Sequence, residues 1–340
     1  MKRGLLFPWL RRLNFAKNFL IFMIGAGLSG CTPGALPDLS KQIICTPQTS
    51  NANIYKTVPQ SWTSSIFHYA ATPLPPNTTP QEQQILEARY ASFQYLISET
   101  KRWSDIQTIK LDNSSAAQII VTFISPELIQ AVYLSDVLRY RLFISDFEMK
   151  TQSALNSIAV RDELIFFIAV TTTNNNNINA APHLLDMPVK QITLMNSEDL
   201  QVAPTRDDHI LEQPINSSLE PVFGYLSYPL AVMNGAGCSW ILDPIYNKSI
   251  VITVPAIVVD GISNGPYTWV IPYSSLISSD LPPALPIFFV PPGSDPNLIS
   301  PAPMPPGPMM NLSTPNGMDQ NTYWQNYARF LWNQIMLGSY

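Results

Sequence analysis

Charge is scarce in this chain. Only 13% of its 340 residues are charged, about half the share of an average soluble domain. What charge there is leans acidic, with a net −5 at pH 7. The chain therefore offers no basic footprint for a phosphate backbone, which excludes nucleic-acid binding. Histidine is limited to three residues and cysteine to three, and none of them forms a cluster at metal-ligand spacing. No H-E-x-x-H, no phosphate-cradling P-loop and no K-T-G occurs. No self-similarity at a period of 20–50 residues marks a repeat protein. Long apolar runs are also wanting, and the one near the start, residues 18–28, is too short to span a bilayer comfortably.

What is present is a chain that is 46% hydrophobic with 32 prolines, its polar surface supplied mostly by Asn, Ser and Thr. Such a neutral polar surface suits an envelope protein. The first residues carry Lys2, Arg3, Arg11, Arg12 and Lys17 without an acidic partner, and "NFLIFMIGAGL" follows. A basic start and a short apolar run are the first two regions of a secretory signal. Ser29, Gly30 and Cys31 come next. This stretch resembles bacterial lipoprotein precursors, whose lipobox is Leu, two small residues and Cys; "LSGC", from Leu28 to Cys31, matches every position. The resemblance implies cleavage between Gly30 and Cys31, diacylglycerol on the Cys31 thiol and an acylated new amino terminus. It implies no other cofactor. Two or more acyl chains anchor stably where one does not, so the membrane is the first expected partner. Thr32, in place of the Asp that retains lipoproteins at the inner membrane, favours the outer membrane in an envelope of Gram-negative type. The alternative is an N-terminal transmembrane helix with an incidental Cys.

With Cys31 lipidated, Cys45 and Cys238 remain, in an oxidising compartment. Either they form a disulfide that pins the tether to the folded domain, or they are two unrelated thiols.

Five segments follow from composition: a signal over 1–30, a tether over 31–77, a helical layer with a β-sandwich over 78–280, a proline-rich arm over 281–317 and a C-terminal helix over 318–340. The tether is rich in Pro, Thr, Ser and Asn and lacks sustained periodicity. Thr79-Pro80-Gln81-Glu82 reads as a capping box with proline at the first helical position. Apolar residues at helical spacing then predict a helix to about Trp103. "AAQIIVTFI" predicts a buried strand, Ser125-Pro126-Glu127 opens a second helix and residues 145–160 predict a third. From residue 163 the texture is β: 163–173, 189–196, 222–230, 238–244, 249–254 and 267–273 are short runs punctuated by Asn, Gly and Pro. Their spacing predicts an immunoglobulin-like sandwich, so the expected class is mainly β within α+β. Pro255 argues for an edge or a break between two Val/Ile-rich runs. In texture, though without a diagnostic motif, this order of elements resembles uncharacterised bacterial lipoproteins, which implies a sandwich with a helical layer and no known activity.

The arm carries Phe288 and Phe289, residues that a solvating spacer does not need. In the last helix Trp324, Tyr327, Ala328, Leu331 and Ile335 share a stripe. It either packs on its own domain or is offered to a partner, and residues 281–340 are the expected protein contact.

No catalytic or metal residue is assigned. Asp207, Asp208 and His209 are consecutive, so they alternate faces and fit a solvated turn. His183 and His68 lack partners at ligand spacing. Ser98 and Lys101 match S-x-x-K by two letters only. "GISNG" places Ser263 at the nucleophile position of G-x-S-x-G, but a strand rather than a helix follows. The leading expectation is a lipid-anchored, non-enzymatic binding or scaffolding component of an envelope assembly. The second is a solute- or glycan-binding lipoprotein presenting Trp240, Trp269 and Tyr273. The third is a hydrolase with a dispersed site.

Overall fold

The computed structural model describes residues 42–45, 80–112, 115–140, 144–174, 182–216, 221–235, 237–243, 247, 249–272 and 320–336. The chain divides into two units, Met1–Lys41 and Gln42–Tyr340, and every described residue belongs to the second. The signal, Gly30, Cys31, most of the tether and the proline-rich arm with Phe288 and Phe289 lie outside the described residues.

Four helices are described: α1 (Pro80–Arg102), α2 (Pro126–Tyr140), α3 (Ile144–Arg161) and α4 (Gln320–Met336). Helix α2 starts where Ser125-Pro126-Glu127 predicts: the Ser125 hydroxyl accepts a bond from the Leu128 N–H at 3.1 Å, satisfying one of the end's free donors. The principal sheet comprises β1 (Ser104–Lys110), β2 (Ser115–Phe123), β3 (Glu163–Asn174), β7 (Arg206–Asp207) and β9 (Val222–Pro229), in the order β1-β2-β3-β9-β7 and antiparallel throughout. A four-stranded sheet orders β15 (Tyr267–Pro272), β12 (Ser249–Val254), β5 (Thr193–Asn196) and β6 (Gln201–Val202). Another orders β14 (Ile262–Asn264), β13 (Ile257–Val259), β4 (Leu184–Asp186) and β8 (Ile215–Asn216), and a hairpin joins β10 (Ala231–Asn234) to β11 (Gly237–Trp240). The architecture is a β-sandwich-like α+β fold.

Strand β3 holds the centre. Its residues from Leu164 to Val170 are all buried, as expected for a strand covered on both faces. Phe166 and Phe167 are consecutive, so their rings leave the strand on opposite sides. Phe167 meets Tyr225 of β9 at 5.1 Å and Phe330 of α4 at 5.9 Å, on the helical side. Phe166 meets Phe123 at 5.0 Å and Tyr228 at 5.5 Å.

The junction between the principal sheet and β15 is made by side chains rather than by a backbone ladder. Asp105 of β1 accepts the Val270 N–H at 2.8 Å, and Gln107 donates to the Thr268 carbonyl at 2.7 Å. Trp269, fully buried, donates its indole N–H to the Ile119 carbonyl at 3.0 Å. The break at Pro255 falls between β12 and β13, which belong to different sheets.

One expectation needs correction, and two open alternatives are resolved. Composition puts residues 42–45 in the tether, yet they run beside β10. Ile44 pairs with Val232, and the Met233 N–H donates to the Ile43 carbonyl at 2.9 Å. A disulfide joins Cys45 to Cys238, 193 residues apart in sequence. Of the two alternatives for the C-terminal helix, packing on its own domain is the one observed, since α4 packs against α1 and α2.

Gly224 lets the turn after β7 lie against the sheet. A Cβ there would stand 2.8 Å from Leu211 Cγ and 2.9 Å from Asp208 Cβ. Gly224→Ala is expected to destabilise the fold by about 1–3 kcal/mol through overpacking. Urea unfolding checks this, and an unchanged midpoint would show that the turn yields freely.

Candidate functional site

The stripe of α4 is buried in the chain's own core. Tyr327, Ala328, Leu331 and Ile335 are fully buried and Trp332 nearly so. The Tyr327 hydroxyl lies 2.6 Å from the Thr122 hydroxyl, which lies 2.7 Å from that of Ser104. Burial pushes the Tyr327 phenol upward, so it stays protonated. Arg329 stacks over Phe93 at 5.1 Å. Tyr327, Leu331 and Ile335 are therefore not available to a partner: an apolar stripe states that something covers it, and here α1, α2 and the principal sheet do. Trp324 is part-buried, edge-on to Tyr323 and Tyr327.

Of the three aromatics expected to face a ligand, one is withdrawn from solvent. Trp269 is part of the core, Trp240 is half-buried on β11, and Tyr273 lies outside the described residues. Ser263 is exposed on β14, where it pairs with Val258 of β13. The turn between those strands is Asp260-Gly261, with φ of 50° and 83°, the left-handed pair that a tight hairpin requires. A strand-turn-strand does not build a nucleophile elbow. Ser98 and Lys101 are exposed near the end of α1.

Sequence reasoning missed a buried carboxyl pair where α1 ends and α2 begins. Glu99 and Glu127 are each only 3% exposed. The Trp103 indole donates to Glu99 at 2.9 Å, and the Arg102 guanidinium stands 3.6 Å from the same oxygen. Burial raises the Glu99 pKa to about 7; Glu127 adds to the rise, while Arg102 and the Trp103 bond oppose it. Glu127 is raised too, again mainly by burial. The signal was legible: Glu99 stands three residues after Leu96 and four before Trp103, on the stripe that the helix buries.

The histidines divide. His209 is 90% exposed and shares Glu212 with Lys190, at 3.2 and 2.7 Å. Those two bonds, with one from Asp207, lower the Glu212 pKa to about 2. His209 thus lies in the exposed turn expected there, whereas Asp207 belongs to β7 and pairs with Leu226 of β9. His183 instead lies between two carboxylates, with Nδ1 2.6 Å from Asp260 and Nε2 3.0 Å from Asp112. Each aspartate uses its other oxygen to accept a backbone N–H, Asp260 from Leu184 at 2.9 Å and Asp112 from Ser115 at 2.6 Å. Bonds to Asp260 and Asp112 raise the His183 pKa. His68 lies outside the described residues.

No protein family, curated protein or solved structure matches this chain. The residues alone must supply a reading. Among the described residues no group of three or more His, Cys, Asp and Glu side chains is arranged to hold a metal ion. Among them, too, no helix is long and apolar enough to cross a membrane.

The carboxyl pair makes a stability prediction. A carboxyl whose folded pKa is raised binds more protons when folded, so its contribution is full below the unfolded value of 4.5 and is lost as pH rises through about 7. Glu99→Gln keeps an acceptor for Trp103 and removes the titration. The variant is expected to be more stable than the wild type at pH 8, by up to about 3 kcal/mol, and the advantage is expected to vanish by pH 4. Thermal unfolding across that range checks it, and parallel curves would refute it.

Proposed function

We propose that the protein is a lipid-anchored lipoprotein of the cell envelope, acting as a non-enzymatic binding or scaffolding component of an envelope assembly. The observation that carries the anchor is "LSGC", ending at Cys31 after a basic start and a short apolar run. The Cys45–Cys238 disulfide adds support, since such bonds persist in exported proteins and are rare in reducing compartments. An outer-membrane address fits Thr32 if the envelope is of Gram-negative type.

With the α4 stripe buried in the core, the proposed contact is the proline-rich arm over 281–317, with Phe288 and Phe289 as its aromatic anchors. A solute- or glycan-binding reading loses one of its three aromatics, because Trp269 is engaged in the core.

Two measurements test the proposal. Cells fed an alkyne fatty acid are expected to label the wild-type protein and not Cys31→Ser; equal labelling of both would remove the anchor. Cutting the chain after residue 280 would strip the core of α4, so the partner test needs the whole chain. Phe288→Ser with Phe289→Ser is expected to reduce the native-gel size of the detergent-extracted complex while leaving the melting temperature unchanged. An unchanged size would remove the arm from the contact.

A further inference from the structure

His183 stands at the start of β4, and its two carboxylates come from different sheets. Asp260 is in the hairpin turn between β13 and β14, within the same sheet as β4. That side of the ring is tied twice more by backbone, since the Asp260 N–H donates to the Leu184 carbonyl at 3.0 Å and the Leu184 N–H donates to Asp260 at 2.9 Å. Asp112 is in the turn between β1 and β2 of the principal sheet. The bond from Nε2 to Asp112 therefore crosses from one sheet to the other.

A neutral imidazole has one N–H and one lone pair, whereas the imidazolium has two N–H donors. Both ring nitrogens here lie within bonding distance of a carboxylate oxygen, so only the imidazolium satisfies both. The groups acting on the ring from the two packed turns are both acidic, Asp260 and Asp112, and the ring itself is 16% exposed, open to protons from solvent. When the ring loses a proton, the shorter, doubly supported Nδ1–Asp260 bond keeps its hydrogen. Nε2 then turns a lone pair toward Asp112 at 3.0 Å, and attraction becomes repulsion.

We propose that His183 is a proton-operated latch: charged, it ties the β1–β2 turn to the β4–β13–β14 sheet through Asp112, and on losing the Nε2 proton it releases that tie. The proton is the only ligand the device needs. The raised pKa gives the sign: the tie is fully present below the ordinary value of 6.5 and is lost as pH rises through the higher folded value. Asp260 orients the ring and Asp112 is the moving contact.

The test follows the ring and the two turns separately in the full chain. The His183 ring carbon is read by NMR across pH 5–9, and hydrogen exchange is read at the Ser115 and Leu184 amides. The expected midpoint lies above 6.5. Exchange at Ser115 is expected to rise several-fold through that midpoint, beyond the intrinsic pH dependence, while Leu184 stays protected. Asp112→Asn is expected to lower the midpoint and to make Ser115 exchange independent of the ring. His183→Gln is expected to hold Ser115 in its fast-exchanging state even at pH 5.5. A midpoint at or below 6.5, or Ser115 protection that ignores the titration, would overturn the latch. Should His183→Gln fail to fold, the Asp112→Asn comparison decides alone.

Discussion

Everything in this fold leans on one demand: β3 must be apolar on both faces at once. A strand with only one buried face would alternate, and the chain could then close as a single sheet against helices. Because Phe166 and Phe167 each need cover, a layer forms on each side. The helical layer recruits α4 from the far end of the sequence to seat Phe330 on Phe167. The opposite side draws the four-stranded sheet in through Trp269. Hydrophobic burial supplies the drive for both, at about 25 cal/mol per Å² of apolar surface. The polar bonds decide the alignment.

That division of labour explains the joint between β1 and β15. Two strand edges that laddered together would merge two sheets into one and forfeit the sandwich. Asp105 and Gln107 instead occupy edge groups of β15 with side chains. Those bonds satisfy backbone groups while leaving the edges in different sheets, which also blunts edges otherwise prone to pairing with another chain. The same logic holds under α4, where the Tyr327–Thr122–Ser104 hydroxyl chain crosses from helix to sheet.

These features were unequally legible in the sequence. Strand β3 was readable because an unbroken apolar run ending at Asn-rich sequence has few other fates. Helix α2 was readable because Ser125-Pro126-Glu127 carries its cap with it. Strand β1, "SDIQTIK", was not, because only Ile106 and Ile109 mark it as apolar and the rest of its surroundings come from β2 and β15. The stripe of α4 was visible but its partner was not: a helical period says that a face is covered, never by what. His183 was invisible for a similar reason, since Asp112 and Asp260 stand 71 and 77 residues away. Glu99 lay in plain view as a charged residue on a buried stripe. The short strands β4, β6, β8, β13 and β14 follow from pairing alone, and two or three residues carry no period to read.

The disulfide has a mechanical meaning. A pull on the chain from upstream of Gln42 travels along the backbone to Cys45 and meets a covalent branch there. One route continues through residue 46 toward α1; the other crosses directly into β11 at Cys238. The direct route is a single covalent bridge, where the backbone route covers a sequence separation of 193 residues. Load enters at the β10–β11 hairpin, beside Ile44 and its bridge to Val232. Tension applied at the amino-terminal side therefore reaches that hairpin before it reaches the helical layer. Reduction of that single bond would leave the backbone alone to carry the load onward, beyond what the pairing of residues 43–44 with β10 holds.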